Sequence, residues 1–164
     1  MFCVDGTLHY NPLINKVIYV FYYRNQYAVM DTMLNLLYRG PTIDSISHAK
    51  IKVTSNKEGT HFTKDGQSVL VNRLSYTYKN LLFINSMIPA KNEDKNEFAH
   101  SARIDIYNLD ALTYSGSFYI AEVNSKKMQG FVVQNSRLFA LFDKYLVSYD
   151  LTALLGEFGI GMRY

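Results

Sequence analysis

The chain has 164 residues, a formal net charge of +3 and a single cysteine. That length carries one sizeable hydrophobic core, and a hydrophobic share of 48% excludes global disorder. Lys and Arg are scattered, with Lys126-Lys127 the one basic doublet, which argues against nucleic acid as a partner.

The aromatic residues are all Tyr and Phe, side chains that suit pleated, half-buried surfaces. Cys3 cannot form an internal disulfide and has no basic neighbour to lower its pKa, so it reads as a small apolar residue. The opening Met1-Phe2-Cys3-Val4-Asp5-Gly6 lacks a charged region followed by an apolar one, so no signal peptide is expected in this chain. No apolar run has membrane-spanning length.

In chain order, apolar runs bounded by Asn, Asp, Gly and Lys predict strands over 7–10, 16–23, 26–31 and 34–39. Segment 45–72 is less regular; two short strands are expected at 49–53 and 68–71, joined by a polar stretch. Strands follow at 74–78, 81–86, 103–108 and 116–120, then at 130–134, 137–142 and 145–151. No long 3.6-residue apolar stripe occurs, and 151–158 is the one stretch expected to tend toward helix.

These strands recur with a period. Tyr107-Asn-Leu-Asp-Ala-Leu112 and Tyr149-Asp-Leu-Thr-Ala-Leu154 lie 42 residues apart, and Phe118 and Phe158 lie 40 apart. Asn15-Lys-Val-Ile-Tyr19 matches Asn135-Ser-Arg-Leu-Phe139 at 120 residues, with Asn80-Leu-Leu-Phe83 as a middle copy. A period of about 40–45 residues with four strands each is that of a propeller blade. Val17-Ile-Tyr-Val-Phe-Tyr22 is apolar throughout, as a strand buried on both faces would be. The expected fold is therefore all-β: a partial β-propeller of about three four-stranded antiparallel blades, arranged radially. Blade one spans about 6–44, an insertion 45–72, blade two 73–123 and blade three 128–164.

Leu8-His-Tyr-Asn11, Tyr22-Tyr-Arg-Asn-Gln-Tyr27, Phe118-Tyr-Ile120, Met128-Gln-Gly-Phe131 and Tyr145-Leu-Val-Ser-Tyr149-Asp resemble the C-terminal half of uncharacterised bacterial six-bladed propeller proteins, similar in fold to TolB-like propellers. The resemblance covers about 6–151 and carries no catalytic motif. It implies a periplasmic or cell-surface setting for a full-length protein and transfers no functional residue. Three blades where that family has six imply a fragment, a missing propeller half or two copies completing a ring. The terminal blades are then expected to expose apolar faces, near Val17, Tyr19 and Phe21 and near Leu138, Ala140 and Val147.

No convincing catalytic constellation stands out. His9, His48, His61 and His100 lack metal-ligand spacing, so no metal or cofactor is expected. There is no nucleophile elbow, and Gly156-Glu-Phe-Gly-Ile-Gly161 lacks the lysine of a phosphate loop. Asp31, Asp110 and Asp150 follow strands and read as turn aspartates rather than a cation ring. Tyr22, Tyr23 and Tyr27 read as packing around an Arg24-Asn25 turn.

In a meander the turns after strands one and three share one end of the sheet, and those after two and four share the other. The second end receives both long segments, 45–72 and 87–100, together with 23–25, 124–127 and Asp143-Lys144. Long loops grafted on one end of a rigid scaffold are the usual seat of function. The candidate binding residues on that rim are Arg24, Asn25, Lys91, Glu93, Lys126, Asp143 and Lys144. The expected function is noncatalytic binding or scaffolding, with a protein, peptide or glycan as partner. The alternatives are a fragment of a propeller-type hydrolase or lyase, or a truncated chain without activity of its own.

Overall fold

A computed structural model describes residues 4–49, 53–55, 62–64 and 68–157. The chain is mostly β and divides into two compact units, Met1–Arg73 and Leu74–Tyr164.

The first unit holds an antiparallel sheet of β1 (Gly6–Asn11), β2 (Lys16–Phe21), β3 (Gln26–Met30) and β4 (Leu36–Pro41) in that spatial order. Its core includes Ile18, Val20, Tyr27 and Val29. Gly40 sits directly opposite Tyr27 in the β3–β4 register, and a Cβ there would meet the Tyr27 ring. The position is small because a buried tyrosine fills the space. Two short strands, β5 (Val53–Ser55) and β6 (Phe62–Lys64), form a separate hairpin.

The second unit opens its sheet with β7 (Asn72–Tyr78), followed by β8 (Leu81–Ser86). A short helix, α1 (Lys95–Ala99), precedes β9 (Ser101–Asn108) and β10 (Thr113–Ala121). Their spatial order is β10-β9-β8-β7. A three-stranded sheet of β11 (Gly130–Gln134), β12 (Arg137–Phe142) and β13 (Tyr145–Asp150) follows, then α2 (Thr152–Glu157). The inner faces of these two sheets share one core: Leu81, Phe83, Ile104, Ile106 and Ile120 from one, Phe131, Val133, Leu138, Ala140 and Phe142 from the other, closed by Leu155 of α2. All six residues of β8 are buried, so both faces of that strand are covered, as its unbroken apolar run predicts.

Tight turns rest on residues that tolerate left-handed backbone. Asn135 and Ser136 both have positive φ, 50° and 56°, which a two-residue hairpin turn of the primed kind requires. Asn15 and Asp143 do the same elsewhere. Of the turn aspartates, Asp31 accepts hydrogen bonds from Met33 N, Asn35 N and Asn35 Nδ2, and Asp150 accepts one from Thr152 N. At the β9–β10 turn Asn108 takes that role, its Oδ1 accepting from Asp110 N and Ala111 N.

Three expectations need correction. Stretch 54–67, expected as a polar link, contains parts of β5 and β6, whose Thr residues favour extended backbone; 68–71 leads into β7 without being a strand, and 50–52 lie outside the described residues. Insertion 87–100 contains α1, started by Asp94, whose side chain accepts from Asn96 N and Glu97 N. The third sheet has three strands among the described residues, because 152–157 turn into helix and bury Leu155; 158–164 lie outside them.

The apolar faces also differ from expectation. Val17 and Phe21 are buried in the middle of the first sheet, on the face whose margin leaves Leu8 and Tyr10 exposed, and Leu138 and Ala140 are buried on the packed side of the third. The exposed apolar side chains are on the opposite side of the third sheet, at Val132, Leu141 and Leu146, and near the edges of the first, at Leu8, Tyr10, Leu36 and Leu37. No helix among the described residues is long and apolar enough to cross a membrane.

Candidate functional site

In the first unit, residues 22–25 turn between β2 and β3. The Arg24 guanidinium sits over the Phe21 ring, its carbon 3.7 Å from the centroid. The Arg39 guanidinium approaches the same ring at 6.0 Å, and its Nη1 donates to Gln26 Oε1 at 3.2 Å. The register explains the reach: Tyr19, Ala28 and Arg39 form one cross-strand row, so the small Ala28 lets Arg39 lean inward. Phe21 stands edge-on to Tyr19 at 4.9 Å between centroids. Among the described residues neither arginine has a carboxylate within ion-pair distance, and Arg24 Nε is buried without a hydrogen-bond partner.

The turn is held in place by the segments just after β4 and just before β7. Asn25 Nδ2 donates to Asp44 O, Asn25 N to Ile46 O, and Thr42 N to Asn25 O. Asn72 Nδ2 donates to Phe21 O at 2.8 Å and to Arg24 O at 3.2 Å, while Val71 N and Asn72 N both donate to Tyr22 O. Both ends of the 45–72 segment thus return to the Arg24 turn, as the meander argument expects. Asn25 acts as a fastener here. Asn72, a buried strut under the turn, was not singled out by the sequence, because an Asn opening a strand looks like any turn residue.

The second unit carries a buried charged network on the face of β8, β9 and β10 opposite the shared core. Arg103 Nη1 donates to Glu93 Oε2 at 2.7 Å, and Nη2 donates to Ser86 Oγ and Ile88 O at 2.8 Å. Arg103 Nε lies 3.1 Å from Asp105 Oδ1 but off the hydrogen-bond line, so that contact is an ion pair only. Ser117 Oγ donates to the same Asp105 oxygen. Glu93 is saturated: besides Arg103 it accepts from Ala90 N and from the Tyr119 hydroxyl. The three charged side chains are at most 5% exposed. Burial pushes the Asp105 carboxyl up, aided by Glu93 and opposed by Ser117, Arg103 and Ser86. Burial, together with the hydrogen bond to Glu93 and its charge, pushes the Tyr119 hydroxyl up to about 12.

Periodicity accounts for the network. Along β9 the alternation puts Ile104 and Ile106 in the core and Arg103 and Asp105 on the other face. The register then sets Ser86 and Tyr119 beside Arg103, and Ser117 beside Asp105. Its groups are turned on one another, and their effect is to clamp Glu93, and with it the 87–94 segment, to the sheet.

Of the residues expected on the rim, Arg24 and Asn25 are adjacent in the first unit. Glu93 faces inward and is part of the clamp, because its carboxylate finds a buried guanidinium. Lys91, Lys126, Asp143 and Lys144 are exposed and stand on three different connections of the second unit, with no hydrogen bond or ion pair among them. Lys126 pairs with Val123 through backbone only. Among the described residues no group of three His, Cys, Asp or Glu is placed to hold a metal ion. No family model matches the chain, and no curated protein matches it either.

Proposed function

We propose that the protein is a noncatalytic binding module on a propeller-type scaffold, which recognises a carboxylate-bearing peptide or acidic glycan at the Arg24 turn. The supporting observation is the pair of guanidiniums converging on Phe21 with no carboxylate of the described residues within ion-pair distance. An arginine held over an aromatic ring presents its donor edge outward, and a carboxylate is the group that fits a guanidinium fork. Gln26 and the Tyr22 hydroxyl, which accepts from Thr7 Oγ1, add polar groups around it. Long segments returning to one turn of a rigid sheet are the ordinary setting for recognition.

The test is titration of oligoglutamate and oligogalacturonate into the wild type, Arg24→Ala and Arg24→Ala/Arg39→Ala, read by amide chemical shifts. Binding to at least one probe is expected, with a loss of about 10- to 150-fold for Arg24→Ala, since a charge-assisted hydrogen bond contributes about 1.5–3 kcal/mol. A wild type that binds neither probe, or a double variant that binds as tightly as the wild type, refutes the reading.

A further inference from the structure

We infer that the free edge of β13 pairs with β13 of a second copy of this chain, in one register set by charge. Among the described residues β13 is bonded on one side only, to β12. Two other sheet edges, β4 and β10, carry devices that discourage pairing. β4 has Arg39, Pro41 and a register shift at Val29/Met30, and β10 has a register shift at Tyr114/Gly116. β13 reads Tyr-Leu-Val-Ser-Tyr-Asp. It has no Pro, Gly, Lys or Arg and no register shift against β12. Leu146 is 70% exposed and Tyr145 38%. Beside it lies an apolar hollow of about 310 Å³ lined by Val132, Phe139, Leu141 and Leu146.

A second copy is the occupant that the charges favour. Two antiparallel copies of one strand are related by a two-fold axis normal to the sheet, so residue numbers facing each other sum to an even number. Centring the axis on Val147 faces Tyr145 with Tyr149, Leu146 with Ser148, and Lys144 with Asp150 of the partner subunit. Symmetry repeats each pair. Lys144 and Asp150, both exposed, are the charged residues that bracket the uncharged run, and this register brings them together at both ends. Moving the axis by one residue either way leaves neither charge facing an opposite charge of the second copy, although Asp150 keeps Arg137 of its own chain opposite it across β12–β13. Aromatic pairs and opposite-charge pairs are the cross-strand combinations that stabilise an antiparallel ladder. In this register the exposed Leu146 of each copy extends the apolar hollow across the junction, and the two three-stranded sheets become one of six strands.

The experiment is sedimentation velocity over a concentration series, on the full chain and on Leu146→Lys, Lys144→Asp and Lys144→Asp/Asp150→Lys. Each fold is checked by circular dichroism. A reversible dimer is expected. Lys144→Asp should weaken it about tenfold, through two lost attractions and two new repulsions, and the charge-swapped double variant should recover most of that loss. Asp150 also accepts a hydrogen bond from Thr152 N at the start of α2, so a second readout is independent of it. Val147→Cys in a Cys3→Ser background should form an intermolecular disulfide under mild oxidation, because facing residues of an antiparallel pair have Cα atoms about 4.5–5.5 Å apart. Ser148→Cys should not. A monomer at all concentrations overturns the proposal, whether or not the β13 amides exchange slowly; slow exchange would put another segment of this chain on the edge. A dimer insensitive to Lys144→Asp and to Leu146→Lys, with no Val147→Cys cross-link, overturns it equally.

Discussion

Replacing Arg103 by Met should destabilise the second unit far more than its one lost charge suggests. The side chain donates to Glu93, Ser86 and the Ile88 carbonyl, and ion-pairs with Asp105. Met fills most of the volume but leaves two carboxylates, 3% and 2% exposed, with no cation between them. Breaking a buried pair in this way costs about 3–5 kcal/mol, and with a urea slope of about 1–3 kcal/mol per molar the unfolding midpoint should fall by about 2 M. Tyrosine fluorescence follows the transition, as the chain has no tryptophan. Removing all three charges, in Glu93→Gln/Arg103→Met/Asp105→Asn, should restore stability to within about 1 kcal/mol of the wild type, because the main penalty is the uncompensated charge. Hydrogen exchange should show residues 87–94 released in the single variant. A loss below about 1 kcal/mol for Arg103→Met, or a triple variant less stable than the single, would refute the view of Arg103 as the centre of a clamp.

The same network gives a pH signature. Asp105 is raised in the folded state above its ordinary value of 3.8, so the stability linked to it is complete below that value and is lost as pH rises through its folded pKa. Asp31 and Asp150 are lowered by their hydrogen bonds and act in the opposite direction. The difference between wild type and Asp105→Asn, measured by urea titration across this window, should isolate the Asp105 slope; no change in slope would contradict it. Gly40→Ala should cost about 1–3 kcal/mol, since its methyl would enter the Tyr27 ring; a neutral effect on thermal melting would show that the ring can move aside. Phe83→Ala, at a site with no exposure in the shared core, should cost about 3–5 kcal/mol, and a loss under 1 kcal/mol would mean that the core collapses freely.

Local pattern carried most of the secondary structure. β8, β11 and β12 have the bounds expected from their apolar runs and Asn turns, because run length and turn chemistry are both local. α1 was hidden because its five residues bury nothing, so no apolar stripe marks it; its one signal was Asp94 at the cap. The sites were less legible for a related reason. Arg103 and Asp105 look like ordinary polar positions of an alternating strand, and only register brings Glu93, Ser117 and Tyr119 against them. Arg24 was visible as a turn arginine, but its partner Arg39 was not, since their convergence on Phe21 depends on the smallness of Ala28 between strands. The exposed apolar face of the third sheet was assigned to the wrong side, because a continuous apolar run does not say which face meets water.

The strand order has a consequence for how the chain acquires its structure. Among the described residues each strand pairs only with its neighbours in sequence, so none of these ladders waits for a segment far along the chain. Sheets of this kind have little loop-closure entropy to overcome and form from adjacent hairpins. On the ribosome the β1–β4 sheet can therefore zip up once Pro41 has emerged, before β8 has emerged. The β11–β13 sheet is made after the other sheets described, so its β13 edge becomes available after their strands have been synthesised. Synthesis itself thus holds back the β13 edge until the strands of the preceding sheets are available to pair among themselves.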